Sequence, residues 1–218
     1  MSVEQVKPWG SLNWPNRITI VRLLLVAPFV ILLMDHQRWP PARHLALGIF
    51  MVMGLSDWLD GLLARRMGAR TRLGAILDPL ADKVLIICSL ILLSRPGSAV
   101  PGAELPDYVV VAIVGKDLWV IVGFVVIYLV TDRLRVQPTR AGKACTVGQI
   151  LMVILVLISP ELNRLGGRAG SRVALAAAWA AAALSVLAVV GYTRLGLRFI
   201  AREQRPLEEN EKSSHGDH

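Results

Sequence analysis

Six apolar stretches, residues 18–34, 45–65, 74–93, 107–130, 144–158 and 173–195, leave this chain of 218 residues few ways to fold. Each is long enough, or nearly so, to cross a bilayer as an α-helix, which takes about 20 apolar residues. Hydrocarbon offers backbone groups no water to bond, and a helix satisfies them within a single segment. With 54% hydrophobic residues and a mean hydropathy of +0.54, the composition is that of an integral membrane protein. The expected fold is all-α: six transmembrane helices with a short N-terminal interfacial segment. Residues 1–17 form that cytoplasmic segment, 18–200 the six-helix domain, and 201–218 a disordered cytoplasmic tail.

The net charge of +8 is distributed unevenly. Basic residues gather at the N-terminal end (Lys7, Arg17), in 65–72 (Arg65, Arg66, Arg70, Arg72), in 131–143 (Arg133, Arg135, Arg140, Lys143) and beyond the last span (Arg194, Arg198, Arg202, Arg205). The alternate connections hold fewer. By the positive-inside rule both termini and the 65–72 connection face the cytoplasm. In so apolar a chain, this charge points to anionic membrane lipids and phosphorylated substrates and not to nucleic acid. Cys88 and Cys145 both fall within apolar runs, which suits small buried side chains better than a disulfide.

Against that background the stretch 57–82 stands out, because it places Asp57, Asp60, Asp78 and Asp82 in apolar sequence. A charged residue at the centre of a membrane helix costs about 2.5–3.5 kcal/mol on insertion-derived scales, so four of them need compensation. If both flanks are helical, Asp57 and Asp60 share one face, about 60° apart, and Asp78 and Asp82 share another, about 40° apart. Two helices joined through the short basic connection bring these faces together. Converging carboxylate oxygens suit hard divalent cations, Mg²⁺ or Mn²⁺, and a two-ion clamp on phosphate or pyrophosphate is their natural use.

Other residues qualify this picture. Trp9 and Trp14 before the first run suggest an interfacial anchor, and the run's late start and Arg22 fit a retained helix better than a cleaved signal peptide. Arg22 is balanced between snorkelling to headgroups and gripping a phosphate. His36 and His44 read as solvated loop residues. Gly61, Ala64 and Gly74 are small, as either close helix packing or a bulky ligand requires. Lys116 and Asp117 interrupt the fourth run; they either reach the aspartate cavity or pair locally, and Lys83 can bend toward a carboxylate to neutralise it. Arg140, Lys143 and Thr146 stand at the cytoplasmic start of the fifth run, where cations would receive a phosphorylated substrate. The Pro- and Gly-containing stretch 159–172 reads as an outer loop. The sixth run is rich in alanine, including Ala176, Ala177, Ala178, Ala180, Ala181, Ala182 and Ala183, and so permits close packing, for example between subunits. His215 and His218 in the tail are not credible ligands.

The spacing Asp57-x2-Asp60-Gly61-x2-Ala64-Arg65-x8-Gly74-x3-Asp78-x3-Asp82 resembles, at every specified position, the signature of the CDP-alcohol phosphatidyltransferases. The motif covers only 26 residues, and six predicted helices with it spread across the second and third are also similar to that family. The resemblance implies a Mg²⁺- or Mn²⁺-dependent transfer of a phosphatidyl group from CDP-diacylglycerol to an alcohol, with release of CMP, at a bacterial inner membrane. It implies that Asp57, Asp60 and Asp78 hold the two ions, that Asp82 completes the site and acts as general base, and that Gly61, Ala64, Arg65 and Gly74 line the CDP-lipid pocket. It also suggests a homodimer.

Pro15-Asn16 with Thr19 and Arg22, the run from Leu77 to Lys83, and Gly142-Lys143 with Thr146 and Gln149 resemble the phosphatidylglycerophosphate synthase and cardiolipin synthase branches of the family. Both branches use acceptors that carry phosphate; glycerol 3-phosphate is favoured, with phosphatidylglycerol the alternative. Acceptor contacts are expected from Lys116, Arg140, Lys143 and Thr146. The fourth helix of these branches usually carries Arg before an acidic residue, whereas this chain has Lys116-Asp117, and lysine has no bidentate guanidinium grip. A cation-coupled transporter would also use intramembrane aspartates, but clustering beside Arg65 in one helix pair, without inverted repeats, speaks against it.

Overall fold

The computed structural model describes residues 14–67, 72–131 and 140–214, with the side chains of 14–18, 58–67, 72–80, 82, 124–131, 140, 141, 143 and 195–214 outside the description. The described backbone forms six helices: α1 (Trp14–Asp35), α2 (Pro41–Met67), α3 (Arg72–Ser94), α4 (Asp107–Thr131), α5 (Arg140–Gly166) and α6 (Ala169–Ser214). There is no strand among the described residues, so the all-α expectation holds. Each helix contains one of the six apolar runs and extends beyond it at one or both ends. Pro28 is accommodated inside α1.

Packing divides the bundle into two groups. α1 lies against both α2 and α3, while α6 lies against both α4 and α5; the groups meet where α3 touches α4 and α5 and where α2 touches α5. The core joins them through Phe29 and Leu33 of α1, Phe50 and Met53 of α2, Leu90 and Leu93 of α3, Ile113 of α4, and Met152 and Leu157 of α5. The Phe29 and Phe50 rings tilt against each other with centroids 5.9 Å apart. From the described part of α6 the core takes small residues, Ala174, Ala178, Ala181, Ala182 and Ala188, and these short side chains let α6 approach its neighbours closely. Part of the alanine face is thus used inside the chain, while Ala176, Ala180 and Ala183 stay exposed. Large apolar side chains also face outward, among them Leu24, Leu55, Val111, Leu118, Leu151 and Leu187. So much exposed apolar surface suits lipid as the surrounding medium. Two segments among the described residues, Ala144–Gly166 and Ala169–Arg194, are long and apolar enough to cross a membrane.

The connection between α5 and α6 departs from expectation. Residues 159–172 do not form a loop; α5 continues through Pro160 to Gly166, and Gly167-Arg168 alone make the turn. Gly167 takes a left-handed φ of 66°, which favours glycine just past a helix end. Across the turn, the Asn163 side-chain amide donates to Ser171 Oγ at 2.8 Å and its carbonyl oxygen accepts from Ser171 N–H at 3.0 Å. A composition rich in Pro, Gly and Asn was therefore a poor guide, because these residues end and staple helices here. At the other end, the α6 backbone is helical to Ser214. The Arg, Glu, Gln and Lys residues there are good helix formers, and composition alone understates that.

Candidate active site

The helical backbone carries all four aspartates of the motif: Asp57 and Asp60 on α2, Asp78 and Asp82 on α3. Gly61, Ala64 and Arg65 follow on the last turns of α2, and Gly74 lies in the first turn of α3. The side chains of Asp60, Asp78, Asp82, Ala64 and Arg65 lie outside the described residues, so the convergence of the quartet does too. Among the described residues no group of three or more His, Cys, Asp or Glu side chains is arranged to hold a metal ion. Asp57 is the member whose side chain is described. It accepts a hydrogen bond from Arg22 Nη1 on α1 at 2.8 Å and keeps 40% of its side chain exposed. A half-open carboxylate supplies the hard oxygen donor that a divalent cation takes, and the other three motif residues would add donors of the same kind.

Arg22 itself is only 2% exposed. That burial excludes snorkelling, since the guanidinium is held inside the bundle and not among headgroups. Its neighbour one turn earlier, Thr19, is also buried. α1 packs against both motif-bearing helices, so Arg22 is a fixed positive charge on the element that touches them both.

A second polar cluster crosses the bundle. Asp117 on α4 is buried, and its Oδ1 accepts from Lys83 of α3 at 2.5 Å and from its neighbour Lys116 at 2.7 Å. Lys116 Nζ also meets Cys145 Sγ of α5 at 3.6 Å, and that sulfur lies 3.3 Å from Ser185 Oγ of α6. Gln149, one turn along α5, places its Nε2 3.6 Å from the same sulfur. Lys116 and Asp117 pair with each other and with Lys83, and the aspartate side chains whose cavity they would reach lie outside the described residues. Cys145 is buried, as expected, but in polar company. Ser185 carried no signal in the sequence, because a lone serine in an alanine-rich helix looks like another small residue.

The expected acceptor contacts are not gathered in one place by the described side chains. Lys116 is 5% exposed and engaged as above. Thr146 Oγ1 donates to the Gly142 carbonyl of its own helix at 3.2 Å. Arg140 and Lys143 belong to the first turn of α5, and their side chains are outside the description.

At the opposite end of α2, Glu161 of α5 accepts from Arg43 and lies 2.8 Å from His44 Nε2. His36 is buried, with Nδ1 donating to the Leu33 carbonyl at 2.7 Å. Neither histidine is merely solvated: His36 is buried on a carbonyl of its own helix, and His44 reaches Glu161 across to α5. The sequence offered one clue, an isolated Glu directly after Pro160.

Residues 12–190 match the sequence model of the CDP-alcohol phosphatidyltransferase family. Among individual proteins, the chain is 31% identical over 156 residues to a Bacillus subtilis CDP-diacylglycerol–glycerol-3-phosphate 3-phosphatidyltransferase, covering 67% of this chain and 77% of the relative. It is 33% identical over 156 residues to a Pseudomonas fluorescens protein of the same name, covering 68% and 74%. A chloroplastic rice protein described in the same words, with the number 1, is 31% identical over 212 residues, covering 89% of this chain and 59% of the relative. The match spans all six helices at least in part and includes the whole aspartate motif, so this membrane protein is a transferase belonging to the CDP-alcohol phosphatidyltransferase family.

Proposed function

We propose that this protein transfers a phosphatidyl group from CDP-diacylglycerol to glycerol 3-phosphate, releasing CMP and forming phosphatidylglycerophosphate. The observation that carries the reading is the complete aspartate motif on α2 and α3, in a chain whose relatives from Bacillus subtilis and Pseudomonas fluorescens are named for that donor and acceptor. In the reaction, the acceptor hydroxyl oxygen forms a bond to the lipid-side phosphorus of the pyrophosphate. The bridging P–O bond breaks, CMP leaves with that electron pair, and the hydroxyl proton passes to Asp82.

Asp57, Asp60, Asp78 and Asp82 would hold Mg²⁺ or Mn²⁺, two ions by the usual logic of such sites. Bound there, the ions would neutralise the pyrophosphate and the charge that develops on the leaving CMP. Arg22 supports this arrangement as a buried cation on Asp57 that reduces repulsion within the carboxylate cluster when it is not otherwise compensated. Gly61, Ala64, Arg65 and Gly74 line the CDP-lipid pocket in this reading, and Arg140 and Lys143 guide the acceptor's phosphate. All six helices cross the membrane, with both termini and the aspartate motif on the cytoplasmic side, in a bacterial inner membrane rich in anionic lipid. Residues 18–200 form the catalytic domain, which works as a homodimer.

The test is direct. Purified protein is incubated with CDP-diacylglycerol, Mg²⁺ or Mn²⁺, and each of glycerol 3-phosphate, phosphatidylglycerol, serine and inositol phosphate in turn, and the lipid product is identified by mass. Phosphatidylglycerophosphate from glycerol 3-phosphate alone is the expected result. Cardiolipin as the main product would reassign the acceptor, and no CMP release with any alcohol would sink the reading.

A further inference from the structure

We propose that Asp117 is a positioning residue that fixes the rotation of α3, and through it the places of Asp78 and Asp82, by holding Lys83. The proposal rests on the reading above in which these aspartates bind divalent ions.

Lys83 directly follows Asp82 on α3 and ends on Asp117 of α4 at 2.5 Å. Among the described residues α3 meets α4 at few places, and this ion pair is one of the ties between the two. Asp117 is itself anchored from the other side. Its Oδ1 also binds Lys116, which meets Cys145 on α5, whose sulfur meets Ser185 on α6. The chain of contacts thus runs from the helix carrying half the aspartate motif, through Asp117, to two helices that carry none of it.

Geometry makes such an anchor consequential. A helical side chain ends about 5 Å from the axis, so rotating the helix by about 25° displaces it by about 2 Å. Metal–oxygen distances tolerate only about 0.2 Å. An α3 free to turn by a fraction of a residue would spread Asp78 and Asp82 over positions that mostly do not bind. A role for these lysines as free phosphate cations fits less well, because both already share one carboxylate oxygen and Lys116 is 5% exposed.

The test uses the full chain in lipid nanodiscs and reads Mn²⁺ binding by the loss of the free-ion EPR signal, without substrate, beside melting temperature. Asp117→Asn and Lys83→Met are each expected to weaken Mn²⁺ binding about tenfold or more, the scale found when partners behind metal ligands are removed. Asp117→Glu, which keeps the charge, is expected to remain within about threefold of the unsubstituted protein on the same scale. A folded Asp117→Asn or Lys83→Met protein that binds Mn²⁺ normally overturns the proposal, and so does a lowered melting temperature with unchanged binding, which marks a merely structural pair. Should Asp117→Asn fail to fold, Lys83→Met decides alone, since Lys83 keeps 35% of its side chain exposed and tolerates replacement better. If the unsubstituted protein binds no Mn²⁺ at all, the functional reading fails and takes this proposal with it; normal binding in the variants sinks the positioning role only.

Discussion

Arg22 on α1 and Asp57 on α2 form an ion pair of 2.8 Å in which the cation is buried and the carboxylate is half open. The two ends of the pair differ in access: Arg22 is locked within the bundle, while Asp57 keeps part of its surface open. Arg22→Met is expected to abolish phosphatidyl transfer and to lower stability by about 1–3 kcal/mol, less than for a fully buried pair because water still reaches Asp57. Arg22→Lys keeps the charge without the planar fork and is expected to retain a fraction of the activity. CMP release and thermal unfolding in nanodiscs measure both; normal turnover in Arg22→Met would separate Arg22 from the site.

A close helix approach lies at the α5–α6 turn. A Cβ at Gly170 would stand 2.2 Å from the Ser159 carbonyl oxygen and 2.7 Å from Leu162 Cβ, neither of which is the end of a flexible side chain. Gly170→Ala therefore has to push α6 away from α5, at a cost of about 1–3 kcal/mol. Melting temperature is expected to fall while the metal dependence of the remaining folded protein stays normal. An unchanged melting temperature would mean that the two helices separate freely at this end.

Glu161 offers a related but milder test. It serves Arg43, which is nearly buried, and His44, which is mostly exposed. Glu161→Gln leaves Arg43 without its counter-ion between α2 and α5, at an expected cost of about 1 kcal/mol given partial solvent access. Transfer kinetics are expected to be unchanged, because the aspartate motif lies at the other end of α2. A changed KM for CDP-diacylglycerol, measured by initial rates, would show that the two ends are coupled.

What the sequence made legible was everything governed by local periodicity. Six apolar runs became six helices, and two aspartates per motif helix followed from register alone. Contacts between distant segments were not legible: Asp57 finds Arg22 across 35 positions and Asp117 finds Lys83 across 34, and nothing in the spacing of either residue names its partner. The same limit applied to Glu161, paired across 118 positions with Arg43. The α5–α6 turn differs from its loop-like composition for another reason. Pro, Gly and Asn are common in loops, but here Pro160 sits within a helix, Gly167 terminates one and Asn163 staples it to the next.

At the start of α5 two neighbouring residues are expected to behave differently. Thr146 spends its hydroxyl proton on the Gly142 carbonyl, so Thr146→Val removes a bond within one helix and should leave acceptor KM within about twofold. Lys143→Ala removes a cation from the helix's first turn, where the proposed function places the acceptor's phosphate. Its acceptor KM is expected to rise about tenfold, worth roughly 1.4 kcal/mol of binding, with the KM for CDP-diacylglycerol little changed. Equal effects on both substrates would move Lys143 from acceptor recognition to general electrostatics.

Asp82→Asn isolates the proton-transfer step from ion binding. The amide keeps the size of the carboxylate and one oxygen donor but cannot take a proton from the acceptor hydroxyl. If Asp82 is the base, the variant loses the contribution of general-base catalysis, about 10²–10⁴-fold in kcat, while CDP-diacylglycerol still binds through the remaining aspartates. If Asp82 is chiefly a metal ligand, the loss appears instead as weaker Mn²⁺ binding and is partly recovered at high metal concentration. Measuring kcat across a metal titration, together with equilibrium binding of the CDP-lipid, separates the two cases. Full activity at saturating metal would transfer the base role away from Asp82, with Asp78, four positions earlier on α3, as the next residue to replace.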